Sequence, residues 1–250
     1  MVSTAVIMAA GLGTRFGAMT ETMPKGFIEA GGKAMVVRSI ETLLACGISR
    51  IIIGTGYHRE AYEALATRHG QIECVFSPRY AETNSMYTLY NCRQAIGDDD
   101  FLLLESDIIF TRNAITHLLE DAHNNIMLIT PVTKFQDQYY VEHDKDGILT
   151  RCSTDKTALN ASGELVGIHK ISSAFYRQMC REYEKIVESK PKLGYEYQLL
   201  WMSQHGSPVF VLNAPDVAWY EIDDADDLAY AEEHIIKKLK NGKTSIKLKN

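Results

Sequence analysis

The chain is predicted to adopt an α/β fold with a doubly wound, mostly parallel sheet, and three features of the sequence carry that expectation. Short β-rich runs alternate with helical patterns through the first half, which is the rhythm of a parallel sheet with helices on both faces. The runs "RIIIG" (Arg50–Gly54) and "DFLLLE" (Asp100–Glu105) have unbroken apolar centres rather than alternation, as strands covered on both faces should. A length of 250 residues, with 46% apolar and 23% charged residues, suffices for one full core, or for a main domain with a small insertion.

Strand Thr4–Met8 runs into a glycine-rich loop and then an amphipathic helix, Met35–Ala45. Strand Arg50–Gly54 precedes helix Arg59–Ala66, Ile72–Phe76 precedes Met86–Arg93, and Phe101–Glu105 precedes Asn113–Asp121; Ile126–Thr130 ends the regular part. After Pro131 the rhythm changes. "QYYVEHDKDGILTRCS" reads as a β-hairpin turning at Lys145-Asp146-Gly147, because Asp-Gly supplies the positive φ of a tight reversal. Phe175, Met179, Tyr183, Ile186 and Val187 share one face of a helix expected over Ser172–Ser189, and another helix is expected over Tyr195–Gln204. Strands Val209–Leu212 and Val217–Ile222 and a last helix, Ala225–Leu239, complete a domain drawn as residues 1–240. The lysine-rich stretch 241–250 reads as a tail or a linker.

A net charge of −6 argues against nucleic acid as the main partner, since such surfaces cluster Lys and Arg against phosphates. Cys46, Cys74, Cys92, Cys152 and Cys180 are odd in number and lack zinc spacing, so reduced core thiols are expected. His58, His117, His143 and His169 form no ligand pattern. With no leader pattern at the start and no apolar run near the roughly 20 residues of a membrane helix, a soluble, cytoplasmic protein is expected.

The loop "MAAGLGTRFG" (Met8–Gly17) is glycine-rich without being a dinucleotide fingerprint: Gly11, Gly13 and Gly17 give G-x-G-x-x-x-G, one residue too long, and no ribose-binding acid ends the second strand. It is not a P-loop either. What it offers is backbone N–H groups beside Arg15 and, in "PKGFIEAGGKAM", Lys25, a combination suited to a polyphosphate.

These stretches resemble the signature of the small-molecule nucleotidyltransferases, with Gly11, Gly13, Thr14, Arg15, Pro24, Lys25, Phe27, Gly32 and Met35 in register and Ala34 standing where a proline is usual. "YAETNSMYTLYNC" resembles a segment of the bacterial phosphocholine and 2-aminoethylphosphonate cytidylyltransferases, matching at Thr83, Asn84, Thr88 and Leu89. The resemblance implies a Rossmann-like nucleotidyltransferase fold whose acceptor-binding part is the hairpin and helical insertion, roughly residues 131–205. It also implies CTP as substrate, with Lys25 and Arg15 neutralising the triphosphate. The nucleotide would lie against Ala10, Gly11, Gly13 and Thr14 on one side and Glu82, Thr83, Asn84 and Ser85 on the other.

Nucleotidyl transfer builds charge on phosphoryl oxygens, which a divalent cation must offset, and Mg2+ takes oxygen ligands. Asp107 lies just past a buried strand, where open α/β sheets place their sites, and could instead be a helix cap. In "WYEIDDADDL", Glu221 and Asp223 alternate along a strand end and would project to one face about 7 Å apart. Asp223 or Asp224 should also cap the last helix, with Asp226 and Asp227 in its first turn. The resemblance implies Asp107, Glu221 and Asp223 as the Mg2+ ligands.

"LGYEYQLLW" offers Glu196 between Tyr195 and Tyr197, a carboxylate between two rings that suits an organic cation, although helical spacing equally fits core residues. Gln136, Asp137 and Gln138 supply oxygens for a primary ammonium, so the acceptor is expected to be 2-aminoethylphosphonate, with phosphocholine next and a sugar 1-phosphate after that. A non-catalytic nucleotide sensor is the alternative of another class. Neither a membrane nor a nucleic acid is expected as partner, whereas a homo-oligomer and a fused C-terminal domain both remain compatible with the sequence.

Overall fold

The computed structural model describes residues 2–134 and 138–241. Its strands are β1 (Thr4–Ala9), β2 (Arg50–Thr55), β3 (Ile72–Phe76), β4 (Phe101–Glu105), β5 (Ile108–Phe110), β6 (Ile126–Thr130), β7 (Tyr140–His143), β8 (Leu149–Ser153), β9 (Gly163–Ile171), β10 (Phe210–Asn213) and β11 (Trp219–Glu221). The α-helices are α1 (Met35–Ala45), α2 (Arg59–Arg68), α3 (Ser85–Asn91), α4 (Arg93–Ile96), α5 (Asn113–Glu120), α6 (Ser173–Glu184), α7 (Tyr195–Gln204), α8 (Ala225–Tyr230) and α9 (Ile236–Asn241). The expected last helix therefore exists in two pieces, joined by a π turn over Ala231–Ile235.

The main sheet has the order β10-β6-β9-β4-β1-β2-β3. Strands β4, β1, β2 and β3 pair in parallel, as do β6 and β10, and the helices cover both faces. From β1 the chain winds to β2 on one side and later to β4 on the other. The carboxyl ends of β1 and β4 therefore lie side by side, with Met8 opposite Glu105. That is a topological switch point, where open α/β sheets form a crevice. Alternate residues along β1 serve different cores. Ala5 and Ile7 pack with Val36, Ile40 and Leu43 of α1 and with Ala114, Ile115 and Leu118 of α5, whereas Val6 and Met8 pack with Met86 and Leu89 of α3 and with Met179, Tyr195 and Leu199.

Two strands absent from the sequence reading shape the rest. Strand β9 lies antiparallel between β4 and β6 and is buried along its whole length. Its composition hid it, because "GELVGIHKI" carries Glu164, His169 and Lys170 at positions that the fold nevertheless buries. Strand β5, only three residues long, pairs antiparallel with β11 in a separate two-stranded sheet. The expected hairpin is β7–β8, and Gly147 adopts φ 78 in its turn while Asp144 Oδ1 accepts from the N–H groups of Asp146 and Ile148.

His169 is fully buried, and neither ring nitrogen has a hydrogen-bond partner. Burial pulls its pKa down to about 3, so the folded protein keeps it neutral where an unfolded chain, with a value near 6.5, would take a proton. Unfolding free energy should therefore fall as pH drops below about 6.5, by up to roughly 1.4 kcal/mol per pH unit from this one residue. Burial also raises the pKa values of Glu196 and Glu221, whose contributions over this range have the opposite sign, so urea denaturation at pH 7, 6 and 5 should show the His169 contribution as a difference, the parent losing stability relative to His169→Leu as pH falls.

Candidate active site

The loop after β1 turns at Gly13, whose φ of 64 is left-handed, and a Cβ there would press against Thr20 and the Cβ of Lys25 at 3.1 and 3.2 Å. A 3-10 segment, Thr14–Thr20, follows, and Thr20 Oγ1 donates back to the Gly13 and Gly17 carbonyls. The turn thereby carries Arg15 to one side of the crevice and lets the chain return to Lys25.

Lys25 Nζ donates to Asp107 Oδ2 and to Asp223 Oδ1, each at 2.5 Å, and Arg15 Nη2 reaches the same Asp223 oxygen at 2.6 Å. Burial alone would lower the pKa of Lys25, but the charges of Asp107, Asp223 and Glu221 outweigh it, and the amine is held above its ordinary range as a fixed cation. Asp223 is free for this role because Asp224 caps α8, its Oδ1 accepting from the N–H groups of Asp226 and Asp227.

Antiparallel pairing sets Glu221 opposite Ile108, and the Ile222 N–H donates to the Asp107 carbonyl at 3.0 Å. Asp107 and Glu221, distant in sequence, thus become neighbours. Glu105 joins them, and one oxygen from each of the three carboxylates lies within 4.8 Å of the others. The sequence reading put Asp223 in this group and overlooked Glu105; Asp223 turns its Oδ1 instead to the two cations. Glu105 could have been found from "ESD", since alternation aims its side chain to the same side as that of Asp107.

Crowded carboxylates cannot all ionise cheaply. Glu221 is pushed up to about 8 by burial and by Asp107 and Asp223, with Lys25 and Lys134 acting against them. Glu105 is held well above its usual range by burial and by Asp107, Glu196 and Glu221, against the hydrogen bond from Tyr195. Asp107 Oδ1, moreover, is buried without a hydrogen-bond partner. Three oxygen donors, mutual repulsion and an orphaned lone pair suit a hard divalent cation.

These groups line a cleft of about 430 Å³ whose walls include Ala10, Gly11, Gly13, Thr14, Arg15, Lys25, Thr83, Asn84, Ser85, Asp107, Lys192, Glu221 and Asp223. Glu82, expected beside the nucleotide, is not among them. Its side chain is 74% exposed and lies 3.7 Å from Arg79. Lys192, which the sequence reading did not single out, lines the cleft and donates to the Ala81 carbonyl.

An adjoining lobe of about 250 Å³ shares Arg15, Asn84, Ser85, Glu105 and Glu221 with the cleft and adds Gln138, Tyr139 and Glu196. Glu196 is 4% exposed and pushed up to about 7, chiefly by burial, and its Oε2 has no partner. A Cβ on Gly194 would lie 2.4 Å from that oxygen, so only glycine leaves the carboxylate its place. The expected pair of flanking rings is not formed. Tyr195 is fully buried and donates to Glu105 Oε1 at 2.7 Å, and Tyr197 is 38% exposed and packs edge-on against Tyr139. Gln136 and Asp137 lie outside the described residues.

Residues 5–189 match the MobA-like NTP transferase domain. The CMP-5'-(3-aminopropyl)phosphonate synthase of Streptomyces rubellomurinus is 26% identical over 241 residues, covering 91% of this chain and 38% of that protein. The 2-aminoethylphosphonate cytidylyltransferase of Lancefieldella rimae is 32% identical over 107 residues, 43% of this chain and 44% of that one. The matched part therefore covers about two fifths of the length of these relatives. Among solved structures, the CTP:phosphocholine cytidylyltransferase of Streptococcus pneumoniae superposes with a TM-score of 0.78 at 22% identity, over 93% of this chain and 99% of that one, and so shares the fold. With a match extending over well more than half its residues, the chain belongs to the MobA-like NTP transferase family.

Proposed function

We propose that the protein is a cytidylyltransferase that condenses CTP with 2-aminoethylphosphonate to CMP-2-aminoethylphosphonate and pyrophosphate. The observation that carries the choice of acceptor is the composition of the smaller lobe. Among the described residues, three carboxylates, Glu105, Glu196 and Glu221, line it beside a single aromatic ring, Tyr139. A primary ammonium donates three hydrogen bonds and is best met by oxygens, and Glu196 Oε2 is a buried acceptor in want of a donor. A trimethylammonium group would favour an enclosure of rings. Tyr139, which packs edge-on with Tyr197, favours the second reading, phosphocholine, and is the lobe's only aromatic wall among the described residues. The name of the Streptomyces relative, an aminoalkylphosphonate enzyme, supports the first.

A phosphonate oxygen attacks the α-phosphorus of CTP; the new P–O bond forms as the bond to the bridging oxygen breaks, and its electron pair leaves with pyrophosphate. No general base is required, since the attacking oxygen is already ionised. Lys25, charged and fixed between two acids, and Arg15 would meet the phosphoryl oxygens as their charge grows. The backbone at Ala10, Gly11, Gly13 and Thr14 would cradle the phosphates, with Thr83, Asn84 and Ser85 facing the nucleoside. Glu196 would hold the acceptor's ammonium, aiming the phosphonate toward the cleft. Nucleotidyltransferases of this kind typically use a divalent metal, and Glu105, Asp107 and Glu221 would hold Mg2+, which supplies charge neutralisation at the phosphoryl oxygens. Asp223 would act on Lys25 and Arg15 rather than on the ion.

A pyrophosphate-release assay with CTP and each of 2-aminoethylphosphonate, phosphoethanolamine and phosphocholine tests the reading. 2-Aminoethylphosphonate should give the highest kcat/KM, and preference for phosphocholine or for a sugar 1-phosphate overturns the assignment. Lys25→Ala and Asp107→Ala should remain folded by circular dichroism and lose turnover by about two orders of magnitude or more; near-parental activity in either would remove it from the machinery.

Cation binding to the nucleotide-free protein should tighten with pH, because Glu221, with its pKa at about 8, must release a proton to become a ligand. Calorimetric titration with Mn2+ at pH 6, 7 and 8 should show affinity rising by up to about tenfold per unit and levelling above 8. Glu221→Gln should flatten that slope, leaving the part that Glu105 contributes.

A further inference from the structure

Glu221 is approached by two side chains from the segment that follows β6, and they treat it differently. Gln138, 2% exposed, donates Nε2–H to Glu221 Oε2 at 3.0 Å. Lys134 reaches the Glu221 backbone carbonyl at 3.0 Å and Asp227 Oδ1 at 2.8 Å, while its ammonium sits 4.2 Å from the centre of the Tyr220 ring. The neutral donor is thus on the carboxylate, and the cation is on the strand's main chain and on a different acid. Once ionised, Glu221 accepts only, so its partner then presents the amide nitrogen, which fixes the Gln138 rotamer as well. Such a contact orients Glu221 without forming an ion pair with it.

Thr133 and Lys134 are anchored by an acid outside the cleft. Glu164, on β9 and 1% exposed, accepts from Thr133 N at 2.8 Å, Thr133 Oγ1 at 2.6 Å and Lys134 N at 3.0 Å. Three donors to one buried carboxylate offset its desolvation, and all three come from the same two residues. Thr130, at the end of β6, accepts from Trp219 Nε1 at 2.8 Å and ties the start of β11 to the same stretch.

We propose that Gln138 is a positioning residue for the cation site, holding Glu221 in the rotamer that faces Glu105 and Asp107, and that Glu164 acts one step further back, fixing the main chain at Lys134, whose ammonium reaches the Glu221 carbonyl. The inference rests on the reading of Glu105, Asp107 and Glu221 as that site. Outer partners of ligating carboxylates commonly alter metal affinity by about 10- to 100-fold when removed.

The test is Mn2+ binding to the full chain without nucleotide, at pH 8.5, followed by electron paramagnetic resonance, with the thermal midpoint of the metal-free protein recorded in parallel. Gln138→Met, similar in length but without a donor, should weaken Mn2+ about tenfold or more while the metal-free midpoint stays within a few degrees. Gln138→Asn, too short to reach, should behave alike and serves if the first variant folds poorly. Glu164→Gln should weaken Mn2+ in the same direction by a smaller factor. Parental affinity in both Gln138 variants, with binding lost in Glu221→Gln, overturns the positioning role and leaves the cation site standing. Parental affinity in Glu221→Gln as well, or no Mn2+ binding by the parent, overturns the site and this inference together.

Discussion

The site depends on a pairing of two three-residue strands. Where β5 meets β11, Glu221 falls opposite Ile108, and the Ile222 N–H closes onto the Asp107 carbonyl. A shift of one residue would turn every side chain of β11 to the other face and carry Glu221 away from Asp107. So short a ladder holds few hydrogen bonds, each worth about 1 kcal/mol net, and cannot secure its own register. The register is held by burial instead. Ile109 and Ile222 lie in a small core with Phe16, Ile28, Met35, Ala231 and Ile235, which draws together the glycine loop, α1 and the C-terminal helices. The loop that would meet phosphate and the strands that bear the acids are therefore packed against a common set of apolar residues.

Charge within the crevice is arranged along a gradient. At one end Lys25 is locked between Asp107 and Asp223, a buried arrangement whose main product is geometry, because desolvation consumes much of the Coulombic gain. At the other, Glu105, Glu196 and Glu221 lie close together with no short ion pair among the described residues, and their pKa values rise accordingly. A polyphosphate would be drawn to the first end and a cationic group to the second, and Asp107 belongs to both. The overall charge of −6 gives no hint of such a division.

Much of this was legible in the sequence wherever the signal was local. The parallel strands were visible as unbroken apolar runs, and the glycine loop with Arg15 and Lys25 as a spaced motif, because each depends on residues within a few positions of one another. Strand β9 was not, since Glu164, His169 and Lys170 read as solvent-facing until tertiary structure supplies partners for two of them and simply buries the third. In the sequence Glu105 is simply the last residue of a strand, because its place in the acidic cluster depends on Glu221, which only the β5–β11 pairing brings near. The spacing of Tyr195 and Tyr197 suggests a pair of rings around Glu196, yet residues two apart on a helix point in different directions, here one into the core and one outward.

The reversed strand in the middle of the sheet also bears on how the chain is assembled. Strands β4 and β6 do not touch; each pairs with β9. During synthesis the half-sheet β3-β2-β1-β4 can form early from sequence-near strands, but β6 must wait until residue 171 has emerged before it gains a neighbour on that side. Until then β4 presents an open row of main-chain donors and acceptors, flanked by the apolar side chains of Leu102, Leu103 and Leu104, to whatever strand arrives first. In the finished sheet β9 closes that edge, at the cost of burying three polar residues among the strands it joins.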